Sequence, residues 1–494
     1  MGVIRRQSIG GFIYTYMGVI LGFVNLVVIS PLILDSEQIG LLQLLISISA
    51  ILAQFSSLGF LNVTNKLFPY FKDSATRHSG FGIIVILAGI LGFLIISVSY
   101  VFFKPYLIET NLEKSPLFIE YIHWLLPLSF FTVIFNLLDN YNKALYNAIL
   151  GTFIKELVVR VGNLIILGLF FLEIIAFDVY VTLFIINLSL PGAFMFFFLL
   201  IKGEIGFSIS KQIFTKKLKK EMLTISLFGL FSGFATIGVI NIDKYMINQY
   251  IDLSATGIYS IAFYFGSLIL LPNRPLAKIS TTLVAESWKN NDTDMLKSIY
   301  YKTSINQLLI AQLLFLGLWC NIQNILAFLP PEYAEGKLVI LFISLANLIN
   351  MASGVSIQIL GTSSRYRVHT YLIIFLAVMV IITNILFIPR FGIIGAALAS
   401  LISTLVYVSM RTFYLYYAFK LFPFRADHLK ALGVFLLILT INYLLPEFVN
   451  HYIDFFIRSL LITILYSSIV VWIGISEDGN QLLREVINKL RSQF

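Results

Sequence analysis

One arginine within a long apolar segment is the strongest candidate for a binding residue. Arg274 lies in Leu271-Pro272-Asn273-Arg274-Pro275, where two prolines within four residues predict a kinked or broken helix. A break leaves backbone carbonyl and amide groups that need partners, usually around a cavity. The planar guanidinium can bind oxygen atoms in a bidentate way. The alternative is a structural role, in which Arg274 pairs with a neighbouring helix or extends to the membrane interface.

Two charged residues occur late in another apolar segment. Asp243 and Lys244 lie about 20 residues into segment 222–247, hence roughly 30 Å along a helix that rises 1.5 Å per residue. Adjacent residues on a helix face different directions, so they do not form a simple ion pair. We expect either a role in gating or ion coupling, or an anchoring role at the external membrane interface.

Two uncharged polar residues also interrupt apolar segments. Asn25 lies in segment 9–34 and Gln43 in segment 39–60. We expect them to line a cavity and bind substrate, although hydrogen bonds between helices would explain them equally. Glu156 and Arg160, four residues apart in the favourable order, are expected to form a surface ion pair.

The sequence predicts no catalytic residue, metal site or cofactor, and therefore no enzyme. The five histidines have no metal-ligand spacing, the single cysteine, Cys320, cannot form an intrachain disulfide, and nucleotide-binding motifs are absent. Direct use of ATP is accordingly not expected.

The elements that carry these residues are membrane-spanning helices. The chain has 494 residues, of which 59% are hydrophobic and 12% charged, whereas a soluble domain has about 25% charged residues. Its mean hydropathy is +0.91. Apolar runs long enough to cross a bilayer predict about fourteen spans, at residues 9–34, 39–60, 80–103, 118–138, 157–175, 179–201, 222–247, 257–279, 304–328, 337–360, 370–388, 392–417, 430–445 and 455–475.

Basic residues predict the orientation of these spans. With fourteen spans, 27 of the 34 Lys and Arg residues fall on one side, Arg411 among them, and six on the other, with Arg274 inside span 8. Both termini are therefore expected in the cytoplasm. The net charge of +9 then indicates contact with anionic membrane lipids rather than with nucleic acid.

The chain is expected to form two lobes of six helices each. Asp35-Ser-Glu-Gln-Ile-Gly40 matches Asp252-Leu-Ser-Ala-Thr-Gly257 at an offset of 217 residues, which superposes spans 1–2 on spans 7–8. Parallel repeats of this kind are a known transporter design. The predicted segments are an N-lobe at 1–201, a basic cytoplasmic linker at 202–221, a C-lobe at 222–417, two additional spans within 418–475 and an amphipathic cytoplasmic tail at 476–494.

Two local motifs resemble a known family. Asn241-Ile-Asp243-Lys-Tyr-Met-Ile with Thr256-Gly257-Ile-Tyr259-Ser-Ile-Ala262, and Ile388-Pro389-Arg-Phe-Gly392-Ile-Ile-Gly395-Ala-Ala-Leu-Ala-Ser400, are similar to segments of bacterial O-antigen and capsule-repeat flippases. These belong to the multidrug/oligosaccharidyl-lipid/polysaccharide exporter superfamily, which includes the MATE transporters. The similarity in helix number, lobes and orientation covers nearly the whole chain.

The resemblance implies a flippase of the bacterial inner membrane. It would move undecaprenyl-pyrophosphate-linked oligosaccharide from the inner to the outer leaflet by alternating access. From its own residues we expect Arg274 to hold the diphosphate, and the protein to act as a monomer. Two alternatives stay open: a cation-coupled exporter of small molecules or drugs, and a membrane enzyme of glycan assembly. The predicted external loops are short, which argues against the enzyme.

Overall fold

Helices account for all the regular secondary structure in the described part of the chain. The computed structural model describes residues 14–73, 78–206, 215–446 and 450–481, without the side chains of Arg274, Pro275 and Lys278. Eleven of the helices in these ranges are long and apolar enough to cross a membrane. The prediction of an all-helical, multi-pass membrane protein is therefore confirmed.

The contacts between helices divide the chain into two units, Met1–Ser260 and Ile261–Phe494. This division falls within predicted span 8, whereas the predicted linker at 202–221 lies earlier in the chain. Residues 207–214 of that linker and 482–494 of the predicted amphipathic tail lie outside the described residues. Residues 477–481, at the start of the tail, are helical.

The first unit is built from eight helices and the start of a ninth. They are α1 (Tyr14–Ile33), α2 (Ser36–Ser56), α3 (Phe60–Leu67), α4 (His78–Asn111), α5 (Pro116–Ala144), α6 (residues 149–171), α7 (Phe177–Ile201), α8 (Lys216–Tyr250) and α9 (Leu253–Leu270).

Helix α5 lies at the centre of the first unit. It packs against α2, α3, α4 and α7, while α8 packs along α2 and α3. The core contains an aromatic cluster in which the Phe68 and Tyr141 rings meet edge to face, with centroids 5.3 Å apart. The Tyr141 hydroxyl donates a hydrogen bond to the Glu204 carbonyl at 2.9 Å, so this large buried side chain also satisfies its polar group.

The described part of the second unit contains the remainder of α9 and, before the helical residues 477–481, eight further helices. They are α10 (Asn273–Lys289), α11 (Thr293–Trp319), α12 (Ile322–Ala327), α13 (Pro331–Ala352), α14 (Ser356–Thr362), α15 (Arg367–Phe419), α16 (Ala426–Leu444) and α17 (His451–Ile473). Helix α11 packs against α10, α13, α16 and α17, and α13 packs against α15.

Helix α15 reverses direction at its middle. Gly392 has φ 60° and ψ −140°, a conformation that essentially only glycine adopts. Thr383 and Ser403 are 20 residues apart, yet their hydroxyl oxygens are 3.1 Å apart, whereas a straight helix would separate them by about 30 Å. The two halves are therefore antiparallel neighbours, and the Pro389–Gly392 part of the family-like motif forms the turn between them.

A buried ion pair within α17 is hydrogen-bonded to α16. Arg458 of α17 binds both carboxylate oxygens of Asp454 at 3.0 Å, and its Nη1 donates to the Asn442 side chain of α16 at 2.9 Å. Asn324 of α12 donates to the same Asp454 carboxylate. Buried charges are tolerated when they are paired and hydrogen-bonded, so this network fixes one end of the α16–α17 pair.

The fourteen predicted spans and the eleven helices do not correspond one to one. Helices α6 and α11 cover the predicted spans 157–175 and 304–328 but are not among the eleven, and α15 is counted once although it contains both spans 370–388 and 392–417. Helix length and composition alone therefore do not confirm the predicted count of fourteen spans.

Candidate functional site

Helices α2 and α9 cross at a pair of glycines. A Cβ atom on Gly40 would lie 1.9 Å from the Leu253 carbonyl oxygen, and one on Gly257 would lie 2.0 Å from the Ser36 carbonyl oxygen. The Ser36 and Ser254 hydroxyl oxygens are 2.7 Å apart at the same crossing. The two backbones are thus in direct contact, a separation that only small residues allow.

The crossing joins the two copies of the internal repeat. At the 217-residue offset, Ser36 corresponds to Leu253 and Gly40 corresponds to Gly257. Each glycine therefore contacts the same position of the other copy, the carbonyl four residues before its glycine. The helix caps also correspond, since Asp35 accepts a hydrogen bond from the Gln38 amide at 2.7 Å and Asp252 accepts one from the Ala255 amide at 2.8 Å. The matching segments therefore have the same local structure and contact each other around a local two-fold relation.

Two buried polar pairs lie next to this crossing. Lys244 of α8 donates a hydrogen bond from Nζ to Gln43 Oε1 of α2 at 2.9 Å, and the Tyr259 hydroxyl of α9 donates to the Asp243 carboxylate at 2.7 Å. Asp243 is 1% exposed and Lys244 is 4% exposed. Both side chains are therefore covered by neighbouring helices and have different hydrogen-bond partners, whereas the choice between a role in gating or ion coupling and an anchoring role stays a prediction.

Further polar contacts hold the C-terminal end of α8 against the α4–α5 connection. The Asn248 amide donates to Asn111 Oδ1 at 2.7 Å and accepts from the Ser115 hydroxyl at 2.7 Å. Lys114 Nζ donates to the Gln249 carbonyl at 2.8 Å. Helix α8 is therefore fixed to three neighbouring elements within its last two turns.

The other end of α8 makes weaker contacts with α2 and α3. The Ser226 hydroxyl donates to the Leu58 carbonyl, and Lys66 lies 3.6 Å from Glu221 in an exposed ion pair. Exposed pairs contribute only about 0–1 kcal/mol, whereas hydrogen bonds to charged groups contribute about 1.5–3 kcal/mol. The strongest polar connections of α8 are therefore at its C-terminal end.

A second charged group lies between α1 and α6. Arg160 Nη2 and Glu156 Oε2 are 2.6 Å apart, as the spacing predicts, but the pair is only partly exposed. It lies against Gly18 and Gly22 of α1, where added Cβ atoms would overlap Glu156 and Arg160. The predicted ion pair is confirmed. It is partly exposed rather than fully at the surface, because these two glycines bring α1 close enough to cover part of it.

Asn25 lies on α1, apart from the pairs at the α2–α9 crossing. It is buried within the π-helical turn Val24–Ile29, and its carbonyl accepts a hydrogen bond from the Ser30 hydroxyl at 2.8 Å. Helix α6 contains a second π turn at Ile154–Val158. Turns of this type are frequent at functional sites.

Arg274 follows a break in the helix, as its two neighbouring prolines predict. Helix α9 ends at Leu270, and α10 begins at Asn273 after Leu271 and Pro272. The 18 residues of α9 cover about 27 Å, close to the hydrocarbon thickness. Predicted span 8, 257–279, is therefore not continuous, and Arg274 comes after a helix of full membrane length. The side chain of Arg274 is not among the groups that the structure describes.

Sequence reasoning missed several members of the polar network. Tyr259, Asn111, Ser115 and Asn248 were not identified as site residues, although Asn241, Lys244 and Asn248 follow the i, i+3, i+7 spacing of one helix face. That polar stripe on an apolar helix was the available signal. Within the described ranges, three or more His, Cys, Asp or Glu side chains do not come together in a metal-binding group.

Comparison with solved structures defines the class of fold. A lipid II flippase, MurJ, in an inward closed conformation matches with a TM-score of 0.73 and 16% identity, over 95% of this chain and 99% of the flippase. An inward-facing multidrug resistance MATE transporter of the MOP superfamily matches with a TM-score of 0.63 and 14% identity, over 80% of this chain and 93% of the transporter.

A MOP superfamily transporter from Pyrococcus furiosus also matches, with a TM-score of 0.53 and 14% identity, over 83% of this chain and 94% of that protein. Family models do not match the sequence, and neither do curated protein sequences. The chain therefore has the fold of MOP superfamily membrane transporters.

Proposed function

We propose that this protein is a flippase that moves an undecaprenyl-pyrophosphate-linked oligosaccharide from the inner to the outer leaflet of the bacterial cytoplasmic membrane. One observation carries the proposal. The lipid II flippase matches 95% of this chain and 99% of its own length, whereas the MATE transporter matches 80% of this chain and 93% of its own. The part of this chain that the MATE transporter does not match is thus largely matched by the lipid II flippase.

The proposed topology has fourteen spans. They are α1, α2, α4, α5, α6, α7, α8, α9, α11, α13, the two antiparallel halves of α15, α16 and α17, with both termini in the cytoplasm. Six spans would form each lobe, and α16 and α17 would be additional. We expect a monomer that is in contact with anionic lipids and uses neither a cofactor nor enzymatic catalysis.

The buried pairs at the C-terminal end of α8 support a role in closing the external side. In the proposed topology the α8–α9 connection is external, so Lys244–Gln43 and Asp243–Tyr259 lie at that side. Opening would require these hydrogen bonds and the Gly40–Gly257 contact to separate. Gln43, predicted to bind substrate, would then act with Lys244 in gating, while Asn25 and Arg274 remain the candidate substrate-binding residues.

The proposal is tested by lipid analysis of cells that lack this protein. Deletion is expected to cause accumulation of one undecaprenyl-diphosphate oligosaccharide, detected by mass spectrometry of lipid extracts and inaccessible to a glycosidase added to intact spheroplasts. Re-expression of the full chain should reverse the accumulation. Unchanged lipid-linked intermediates after deletion would contradict the proposal.

The second candidate is a cation-coupled exporter of small molecules, which the matches to MATE transporters favour. It predicts a different result in the same strain: unchanged lipid-linked oligosaccharide together with increased retention of a cationic dye. If the protein were a membrane enzyme of glycan assembly, its deletion would change the structure of the oligosaccharide and not the leaflet in which the oligosaccharide lies.

A further inference from the structure

The second unit contains a completely buried arginine. Arg411 lies in the second half of α15 and is 0% exposed, although its position at the end of a predicted span placed it among the cytoplasmic basic residues. Its Nη2 donates to the Ser353 hydroxyl at 2.7 Å and to Asn350 Oδ1 at 3.5 Å, and the guanidinium carbon lies 4.7 Å from the centre of the Tyr407 ring. Nε and Nη1 have no hydrogen-bond partner among the described residues.

Other polar groups of this unit interact electrostatically with this guanidinium or lie next to it in the chain. The Tyr300 hydroxyl of α11 is within electrostatic range of Arg411 and faces the hydroxyls of Thr412 and Ser356. Tyr300 and Thr412 are both buried. The two hydroxyls lie near each other, but in the described part of the chain neither makes a hydrogen bond of ordinary distance and angle. The His369 ring also lies within electrostatic range of Arg411, and its Nδ1 is likewise without a partner among the described groups.

The charge of this cluster is not balanced by a carboxylate. The ion pairs formed by the described acidic residues do not include Arg411, and a guanidinium does not lose its proton in a protein. The hydrogen-bond acceptors of Arg411 among the described side chains, Ser353 and Asn350, are neutral and both bind Nη2. An uncompensated buried charge is strongly unfavourable, so a positive charge with two unused N–H groups, together with the unused hydroxyls of Tyr300 and Thr412, is complementary to an anion.

We infer that Arg411, Tyr300 and Thr412 bind a monatomic anion of the halide class within the second unit, independently of the transported substrate. A small anion suits a site whose side chains are fully buried, because close packing leaves little room for a larger oxyanion. The anion would join α11 to the second half of α15 and neutralise Arg411. It would act by stabilising the fold of this unit.

Thermal unfolding of the purified full chain tests this inference. Cys320 is the single cysteine and is buried, so its reaction with a thiol-reactive fluorophore reports unfolding. Sodium gluconate is replaced by sodium chloride or sodium bromide at constant ionic strength. Both halides are expected to raise the Tm to a saturating value, and bromide should give an anomalous diffraction peak at hydrogen-bond distance from Arg411.

Variants distinguish a specific site from a general salt effect. Arg411→Met should abolish the halide dependence of the Tm, while Tyr300→Phe and Thr412→Val should raise the concentration for half-maximal stabilisation several-fold. Arg367→Gln, which removes an exposed arginine of the same helix, should keep the dependence of the parent protein. If Arg411→Met does not fold, the Tyr300 and Thr412 variants still test the site.

Three results would overturn the inference. The first is a Tm that is the same in gluconate and chloride, which would mean that Ser353, Asn350 and the Tyr407 ring suffice to stabilise the arginine. The second is stabilisation by phosphate but not by halides. The third is a halide dependence that persists when Tyr300 and Thr412 are replaced together.

Discussion

Asp243 and Lys244 show how consecutive residues can serve two separate contacts. Both are buried, and each binds a different helix, Asp243 through Tyr259 of α9 and Lys244 through Gln43 of α2. Removing one partner of a buried charged group costs more than the bond itself contributes, because the remaining charge is left without compensation. Substitution of the neutral partners is therefore the mildest way to weaken this network.

Tyr259→Phe is expected to loosen the α8–α9 end of the first unit. The phenylalanine keeps the ring but removes the donor to Asp243, which should weaken the closed state by about 1.5–3 kcal/mol, or roughly tenfold or more in population. The measurement is the rate at which a membrane-impermeant maleimide labels Ser254→Cys in a Cys320→Ala background. Tyr250→Phe, at an exposed tyrosine of α8, is the matched control, and equal labelling rates in all three proteins would argue against a gate.

Arg274→Ala is expected to reduce transport at least tenfold. Hydrogen bonds to charged groups contribute about 1.5–3 kcal/mol, and the arginine follows the break between α9 and α10. Arg274→Lys keeps the charge but loses the planar fork and should recover only part of the activity. The assay is accumulation of lipid-linked oligosaccharide at matched protein level. Wild-type transport by Arg274→Ala would leave this residue with a structural role.

Helix crossings at glycine determine how closely the elements of the first unit approach. The Gly40–Gly257 contact brings α2 and α9 together where the Asp243 and Lys244 networks lie beside it. Because a Cβ atom at either position would overlap a backbone carbonyl, relaxation would have to move a whole helix rather than a side chain. The crossing therefore couples helix separation to the loss of the nearby hydrogen bonds.

Gly40→Ala is expected to destabilise the protein by about 1–3 kcal/mol or more, the usual range for overpacking. Gly168→Ala in α6 is the control, since a Cβ atom there meets no other described atom within 4 Å and alanine favours a helix by about 1 kcal/mol over glycine. The Tm in detergent should fall for the first variant and stay equal or rise for the second. A Tm for Gly40→Ala equal to that of Gly168→Ala would show that the crossing separates without cost.

The α16–α17 pair is expected to depend on both members of its ion pair. Arg458→Met should destabilise the second unit by about 3–5 kcal/mol, because it removes the positive charge that compensates the buried Asp454 carboxylate, whereas Arg458→Met with Asp454→Leu should recover much of that loss. Thermal unfolding followed through Cys320 compares the two single variants with the double variant. Additive effects in this cycle would mean that the two side chains are energetically independent.

At the scale of the whole molecule, the orientation of the spans is a prediction from charge placement. In a Cys320→Ala background, single cysteines at Glu113 and Glu335 should react with an impermeant reagent in intact cells, and one at Lys216 should react only after permeabilisation. All three positions are exposed in the structure, so accessibility reports the side of the membrane. Labelling of Lys216→Cys and Glu113→Cys from the same side would contradict the fourteen-span topology.

Alternating access would use the two kinds of contact along α8. The buried network near Asp243 connects one end of the helix to α2, α9 and the α4–α5 connection, while the Lys66–Glu221 end has an exposed ion pair. In the proposed cycle the two ends would separate in turn, and the end with the buried network would be the more costly one to open.

The sequence by itself determined the helical membrane class and several breaks between helices. Long apolar runs must satisfy their backbone hydrogen bonds internally in lipid, which leaves helices as the local solution. The prolines around Arg274 and the glycine at position 392 act on their own backbone, so the α9–α10 break and the turn within α15 follow from local sequence. The Asp–Gly repeat likewise identified two segments with the same cap and contact positions.

Only the tertiary structure decided which side chains meet. Lys244 and Gln43 are 201 residues apart, and helical periodicity shows that a residue lies on a given face without showing which helix covers that face. The same reason explains why Arg411 was expected among the cytoplasmic basic residues, since its burial depends on α11 and α13, which come from elsewhere in the chain. The partial covering of Glu156 and Arg160 depends in the same way on α1. Which residues are buried, and which side chains they contact, depends on packing between helices that are distant in the sequence. A stripe of polar residues on one helix therefore forms a site only when other helices pack against it.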